Sequence, residues 1–593
     1  MGIWSDDNNK KLNIQLKADY EILDDLIFDV AYSFQSNSEL RNNYESKESF
    51  GGGLNRNGLA TKESKDFYNQ LLESTLRWNG NISNGTIDVV GGYSYQEFYE
   101  EGFRAQGGDF ITDAFAYNRL KASNDFKTGI GDVTSFKNTN KLIAFFGRVN
   151  MSWDQTWFLS VSGRREGSSK FGTDKKWGFF PGASGGVELA NFINSSSINN
   201  LKFRVSYGEA GNNLKDSYLS LVVAEPGDDS FYYNGDYVPA YGPLRNSNPN
   251  LGWESKKEIN IGLDYSFFND KVYGAIDYYS RKTESLLWLF GVPQPPNLAS
   301  QTWANVGDLR NSGLEFLVNL KAVDNGSFSY IPTLTATWYI ENKIVSLSDP
   351  DNGFVFGAGR NLGGMGSPGQ NDTPLVHIEE GAPLGQLWGW KYVGISPTGE
   401  LQLEDISGPE GKPDGGVDAD DRTVIGNGLP SFEIGFGNSV RWNNWDANVF
   451  FRGVFGHDLI NSMRAFYEVP AAIRSYNVVS TARDMKNPDT GAYLNSPDGK
   501  LSDLYVENAD FFKLENLSIG YNLKVPSGSA INNVRFYFAA NNLFVITGYK
   551  GTDPEVRYGD SEDDNNPLVP GVDRRDTWYM TRSFSLGVSL GFN

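Results

Sequence analysis

From residue 11 onward the chain alternates apolar and polar residues with a period of two, in stretches of about ten residues. Leu12, Ile14, Leu16, Ala18 and Tyr20 alternate with Lys11, Asn13, Gln15, Lys17 and Asp19. Ile259, Ile261, Leu263, Tyr265 and Phe267 alternate with Asn260, Gly262, Asp264 and Ser266. The last stretch sets Phe584, Leu586, Val588, Leu590 and Phe592 against serines and glycines. Successive side chains of a strand point to opposite faces, so each stretch has one greasy side and one polar side. A half-buried soluble sheet shows the same alternation. Length separates the two cases, because soluble strands average about five or six residues and membrane-spanning strands need roughly 9–11. About 17 such strands are expected, beginning near residues 11, 26, 67, 86, 141, 157, 177, 201, 255, 271, 311, 328, 431, 446, 511, 534 and 580.

The connections fall into two classes that alternate. Short turns are ringed by aromatics: Trp153 and Trp157 flank one, Trp442 and Trp445 another, and Phe267 and Tyr273 a third. The long, polar class covers about 100–140, 211–252, 285–309, 457–509 and 546–578. Outer-membrane barrels have short periplasmic turns, long external loops and aromatic girdles at both interfaces. The fold expected is therefore an all-β, antiparallel transmembrane barrel, in contact with outer-membrane lipid through those girdle residues.

Composition agrees. Only 39% of the residues are hydrophobic, and the mean hydropathy is -0.43, with no apolar run near the length of a spanning helix. A membrane protein without such helices must close its backbone hydrogen bonds in a barrel. There is no cysteine, so disulfides, zinc-thiolate sites and thiol nucleophiles are excluded. A net charge of -21 with no basic stripe argues against nucleic acid as a partner. No linker or composition shift divides the chain, so residues 1–593 are expected to form one domain. With short turns on the periplasmic side, the first strand runs toward them, whereas an even-numbered barrel with both ends periplasmic starts in the other direction. An odd number of strands is thus expected ahead of Met1. The same parity makes 342–430 one external excursion with its own small hairpin.

At these residues the chain resembles the SusC-type (SusC/RagA) TonB-dependent transporters of the Bacteroidota. The matching segments occur in family order: GRVNMSWDQTWFLSVSGRREGSSKFG (147–172), WGFFPGASGGVEL (177–189), LKFRVSYGEAGN (201–212), NPNLGWESKKEINIGLDYSFFNDKVYGAIDYYSRKTESLL (248–287), NVGDLRNSGLEFLV (305–318), ENKIVSLSD (341–349), EGAPLGQLWGWKYVGI (380–395) and DADDRTVIGNGLPSFEIGFGNSV (418–440). The most specific are ENADFFKLENLSIGYNLKVP (507–526) and VRFYFAANNLFVITGYKGTDPEV (534–556). The resemblance implies a barrel of about 22 strands and active import of large nutrients, glycans or peptides, across the outer membrane. It also implies a SusD-like surface lipoprotein as lid, and TonB–ExbB–ExbD acting through a plug domain. No plug or TonB box is found in the chain, which is expected to be the carboxyl-terminal part of the barrel.

Candidate sites are few. His377 and His457 are the only histidines, too few for a multi-histidine metal site. Gly182-Ala183-Ser184-Gly185-Gly186 matches the hydrolase pattern G-x-S-x-G, which requires a strand–turn–helix elbow. Here it lies inside an alternating strand, and no enzymatic activity is expected. Asp414, Asp418 and Asp421, with glycines between, resemble the second half of a calcium loop (410–421), whose carboxylates would supply oxygen ligands to Ca2+. Glu410 and Lys412 stand where the first ligands belong, and a lysine opposes a cation. A solvated acidic loop is the plainer reading. Trp288, Phe290 and Trp303, and Trp388 and Trp390 in the excursion, offer flat rings for sugar stacking, or serve loop packing. Arg148, Arg164 and Asp264 fall on the polar side of the strands, where they contact cargo or plug, or form a solvated wall. Two other functions stay open on sequence alone: a plugless passive pore or inactive remnant, and a soluble extracellular carbohydrate-binding β-protein.

Overall fold

A computed structural model describes residues 2–50, 52–348, 354, 356, 359–365, 374–408, 411–495, 501–526, 528, 530–555, 569–575 and 580–592, except the side chains of 225–231, 239 and 360. Among these residues 17 long strands form one antiparallel sheet. They are β1 (Ile3–Leu23), β2 (Leu26–Glu45), β3 (Leu59–Ile82), β4 (Gly85–Gly108), β5 (Asp132–Trp153), β6 (Trp157–Ser168), β7 (Trp177–Glu188), β8 (Ile198–Asn212), β9 (Glu254–Phe267), β10 (Val272–Glu284), β11 (Asp308–Leu320), β12 (Phe328–Ser346), β13 (Phe432–Trp442), β14 (Trp445–Phe455), β15 (Phe511–Leu523), β16 (Ile531–Thr547) and β17 (Ser583–Phe592). All the strands expected from the alternation are present. No helix among the described residues is long and apolar enough to cross a membrane.

The starts of β1, β3 and β5 lie well ahead of the expected positions. β3 and β4 are each 24 residues long, roughly 80 Å at 3.3–3.4 Å per residue, against a hydrocarbon core of about 30 Å. Alternation marks only the part of a strand whose one face meets an apolar medium. Beyond it both faces are wet, and the strand is held by its ladder and by charge pairs such as Lys65 with Glu100 at 2.6 Å.

The chain divides into two units. In the first (Met1–Gly185, Tyr207–Lys257 and Ser285–Asn305), β1 to β6 pair antiparallel in chain order. Above this ladder Phe171, Leu214, Leu219 and Leu251 form a small core drawn from its long connections. In the second (Gly186–Ser206, Glu258–Glu284 and Val306–Asn593), β10 to β17 pair in chain order. Short turns close on residues with positive φ, such as Asn443 at 50° and Asp154 at 53°. Asparagine and aspartate tolerate that region better than other side chains.

The second unit also carries a folded body outside the ladder. Arg360–Leu362, Val376–Ile378, Gln386–Gly389 and Thr423–Asn427 form a four-stranded sheet, and Tyr392–Ile395 pairs with Leu401–Leu403. Asp458–Asn461 pairs with Val506–Asn508 on one side and, in parallel, with Val572–Asp573 on the other. Leu375, Val376, Leu387, Ile460, Leu501, Tyr505, Val569 and Val572 share one core, so three long connections fold together. Leu387 is fully buried there. Leu387→Ala should therefore destabilise this body by about 2–5 kcal/mol. Amide exchange should accelerate at Val376, Ile460 and Val572, while protection of β13 to β16 stays unchanged.

Candidate binding surfaces

Many charges on the polar side of the strands hydrogen bond across the ladder. Arg204 on β8 is the hub of one network. Its guanidinium donates to Asp264 on β9 at 2.9 and 3.0 Å, lies 2.7 Å from the Asp277 carboxylate on β10, and donates to Asn260 at 3.3 Å. Gly262 makes this crossing feasible: a Cβ there would meet the guanidinium at 2.5 Å. On β14, Arg452 donates to Glu515 at 2.7 Å and also pairs with Glu555. The buried Lys513 ammonium pairs with Glu555 as well. Burial pushes the Glu555 carboxyl upward, and the two cations more than offset it, holding it below the usual carboxylate range.

The aromatics expected to form a girdle flank the short turns. Trp153 and Trp157 face each other across one turn and Trp442 and Trp445 across another, all four exposed, Trp442 at 58%. Phe267 lies 5.5 Å from Tyr265, and the Lys321 ammonium lies 5.6 Å from the centre of the Tyr273 ring. Gly182-Ala183-Ser184-Gly185-Gly186 is part of β7, with no elbow.

The loop aromatics divide. Trp388 and the imidazole of His377 stack at 4.2 Å with 20° between planes, leaving Trp388 half-buried. Trp390 is only 9% exposed. Its indole N–H donates to the Asp418 carbonyl at 2.6 Å, and the Arg422 guanidinium lies over its ring at 5.0 Å. It packs inside this body, one of the two roles that the sequence left open at that position. Trp303 packs against the core of the first unit. Trp288 and Phe290 lie on the other side of the same two-stranded hairpin, Leu287–Gly291 with Gln301–Asn305, and are half-buried. The exposed tyrosines of a second hairpin, Tyr232, Tyr233, Tyr237 and Tyr241, were not singled out by sequence reasoning, although FYYNGDYVPAY signals a hairpin through its Asn-Gly turn.

The acidic loop is organised around a buried carboxylate. Asp421 is 1% exposed and accepts from the backbone N–H groups of Ile406, Ser407 and Asp418 at 2.8, 2.9 and 2.8 Å. Those donors, Asp418 first, hold its carboxyl below the usual range. Asp418 accepts from Asp420 N–H, and Asp414 from Gly416 N–H. Glu410 lies outside the described residues. Among the described residues no three or more of the ligating side chains converge as a metal site. Asp414, Asp418 and Asp421 each accept from backbone N–H groups.

Comparison with known proteins decides the family. Residues 2–543 match the TonB dependent receptor-like β-barrel family model. The chain belongs to the TonB-dependent receptor β-barrel family. It is similar to TonB-dependent receptor P3 of Formosa agariphila, 29% identical over 97% of this chain and 57% of that protein. It is 26% identical to TonB-dependent receptor SusC of Bacteroides thetaiotaomicron over 88% of this chain and 50% of that protein. The chain thus spans about half the length of the relatives it matches. The structure of the RagAB peptide transporter superposes with a TM-score of 0.82 at 19% identity, covering 99% of this chain and 62% of that one. These are SusC-like receptors of the Bacteroidota, and the long antiparallel strands described above are those of the TonB-dependent barrel fold.

Within this receptor one loop carboxyl is tuned upward. Burial raises Asp573 from an ordinary value near 3.8 to about 6, and the Tyr549 hydroxyl donates to it at 2.6 Å. The folded loop retains a proton that the unfolded chain releases, so the contribution of Asp573 to stability is fully present below about pH 4 and is lost as pH rises through about 6. Amide protection at Tyr549 and Val572 should fall between pH 4.5 and 7, and Asp573→Asn should abolish that dependence.

Proposed function

We propose that the chain forms the wall and external loops of an outer-membrane transporter that takes up large nutrients, oligosaccharides or peptides, by TonB-coupled import. The observation that carries this reading is the family match over residues 2–543, joined to strands that are greasy on one side and cross-linked by charge on the other. Import of a large solute requires a water-lined wall that keeps its shape while other parts move. Networks such as Arg204 with Asp264 and Asp277 supply that stiffness in a wet lining. Two relatives point to the partners and the cargo class: SusC, and RagAB, described as a peptide transporter. A SusD-like lipoprotein is the partner at the external side, TonB–ExbB–ExbD the energy source acting through a plug domain, and Trp288, Phe290 and Trp388 the ring surfaces nearest to cargo. The family is one of receptors and transporters, and no catalytic step is assigned.

Two measurements test this. A strain lacking the gene should lose growth on at least one oligosaccharide or peptide source, and a tonB deletion should lose the same one; unimpaired growth on every source would remove the import reading. The bilayer contact is tested at Val161, 48% exposed in the middle of β6. Val161→Arg should cost about 2–4 kcal/mol in a urea titration in phospholipid vesicles, whereas Val161→Leu should be nearly neutral.

A further inference from the structure

A cavity of about 580 Å³ opens on the polar side of the β1–β6 ladder. Its charged lining consists of Lys17, Arg77, Arg148 and Arg164 against Asp29 and Glu73. A chain with a net charge of -21 therefore gathers four cations and two carboxylates around one space. Most of these charges are consumed locally. Asp29 is buried and accepts from Arg77 Nε at 2.7 Å and Thr75 Oγ1 at 3.2 Å, with the Lys17 ammonium 3.4 Å away. Arg164 Nε donates to Glu166 at 2.6 Å, and its guanidinium lies over the Phe146 ring.

Arg148 differs. Its guanidinium makes no hydrogen bond or ion pair with any described residue. Register explains why. Arg148 aligns with Val90 on β4 and Ser162 on β6, and Val90 aligns with Arg77 on β3, so its rung holds no carboxylate on these three strands, and the diagonal carboxylate, Asp88 on β4, accepts from Asn150 at 3.1 Å. Glu73 aligns through Ser94 with Ala144, four residues along β5 from Arg148. Four residues along a strand and two strands across put their Cα atoms roughly 16 Å apart, too far to pair. Arg77 and Arg164 stand closer and share the sign of Arg148. Ser162, directly opposite on β6, adds a hydroxyl within reach of the same point.

We propose that this cavity binds a carboxylate-bearing solute, with the Arg148 guanidinium as its fork and Ser162 as the neighbouring donor. A planar guanidinium with its donors unspent matches the two oxygens of a carboxylate in a bidentate pair, and the flanking cations raise the local concentration of anions. The group comes either from a uronic acid of an oligosaccharide or from an acidic side chain of a peptide. Binding is a property of the wall and is measured without import, so it stands or fails separately from the transport reading.

The test is calorimetric titration of the full-length protein, purified from outer membranes in detergent. Trigalacturonate is compared with neutral galactotriose, and a blocked glutamate dipeptide with its glutamine counterpart. At least one carboxylated probe should bind tenfold or more tighter than its neutral match, and which arm does so identifies the source. Arg148→Gln should erase the preference, Arg148→Lys should keep part of it, and Glu73→Gln should preserve or strengthen it. If Arg148→Gln fails to fold, judged by heat-modifiable migration, Ser162→Ala replaces it and should weaken the carboxylated probe about threefold. Equal binding of charged and neutral probes, or a preference that survives Arg148→Gln and Ser162→Ala, overturns the proposal.

Discussion

The constraint on which the rest depends is that the backbone of a strand inside the sheet is satisfied by its neighbours, so side chains alone decide what each face meets. In hydrocarbon an unpaired N–H or C=O costs several kcal/mol, and a continuous antiparallel ladder removes that cost wherever the greasy face lies. The side chains on that face then need only be apolar. This is why Leu159, Val161 and Phe179, which pack against little else, stand exposed without being an anomaly. The opposite face is under a different demand. It meets water and must hold its shape against it.

Charge pairs that run across strands meet that demand. Arg204, Asp264 and Asp277 occupy three strands, and Asp446 with Arg535 spans β14 to β16 at 2.5 Å. Single pairs of this partly exposed kind contribute little stability. Their effect is geometric: a guanidinium bound to two carboxylates on different strands fixes the orientation of several side chains at once. An arginine left out of such a network, as Arg148 is, is then conspicuous beside Lys17, Arg77 and Arg164, the paired cations of the same cavity.

How much of this was legible in the sequence follows from what each feature depends on. The strands were readable because alternation is a local property of one stretch of chain. Their full length was not, since the outer parts of β3 and β4 are polar on both sides and carry no period. The aromatic pairs at the short turns were readable because they are adjacent in sequence. The Arg204 network was not, because Asp264 lies 60 positions away and only register brings the two together. Around Asp421 acidity and glycine were visible in the sequence, whereas the three donors that enclose it are backbone N–H groups of Ile406, Ser407 and Asp418, which leave no side-chain signal.

The loop aromatics show why composition alone cannot separate a binding surface from a packing core. A long connection that is to hold one conformation must offset the entropy of ordering it, and the available means is burial of large apolar side chains. The same rings that would stack on a ligand are therefore recruited first into the loop bodies, as Trp390 is beneath Arg422 and Trp303 is against Phe171 and Leu251. Only a ring left over after that demand is met is free to serve a ligand. In the excursion the division runs between neighbours in sequence: Trp390 closes the core, and Trp388, two residues earlier, keeps part of its face open beside His377. Two tryptophans two residues apart, with the same chemistry and the same local signature, are assigned different tasks by the packing of the connections around them.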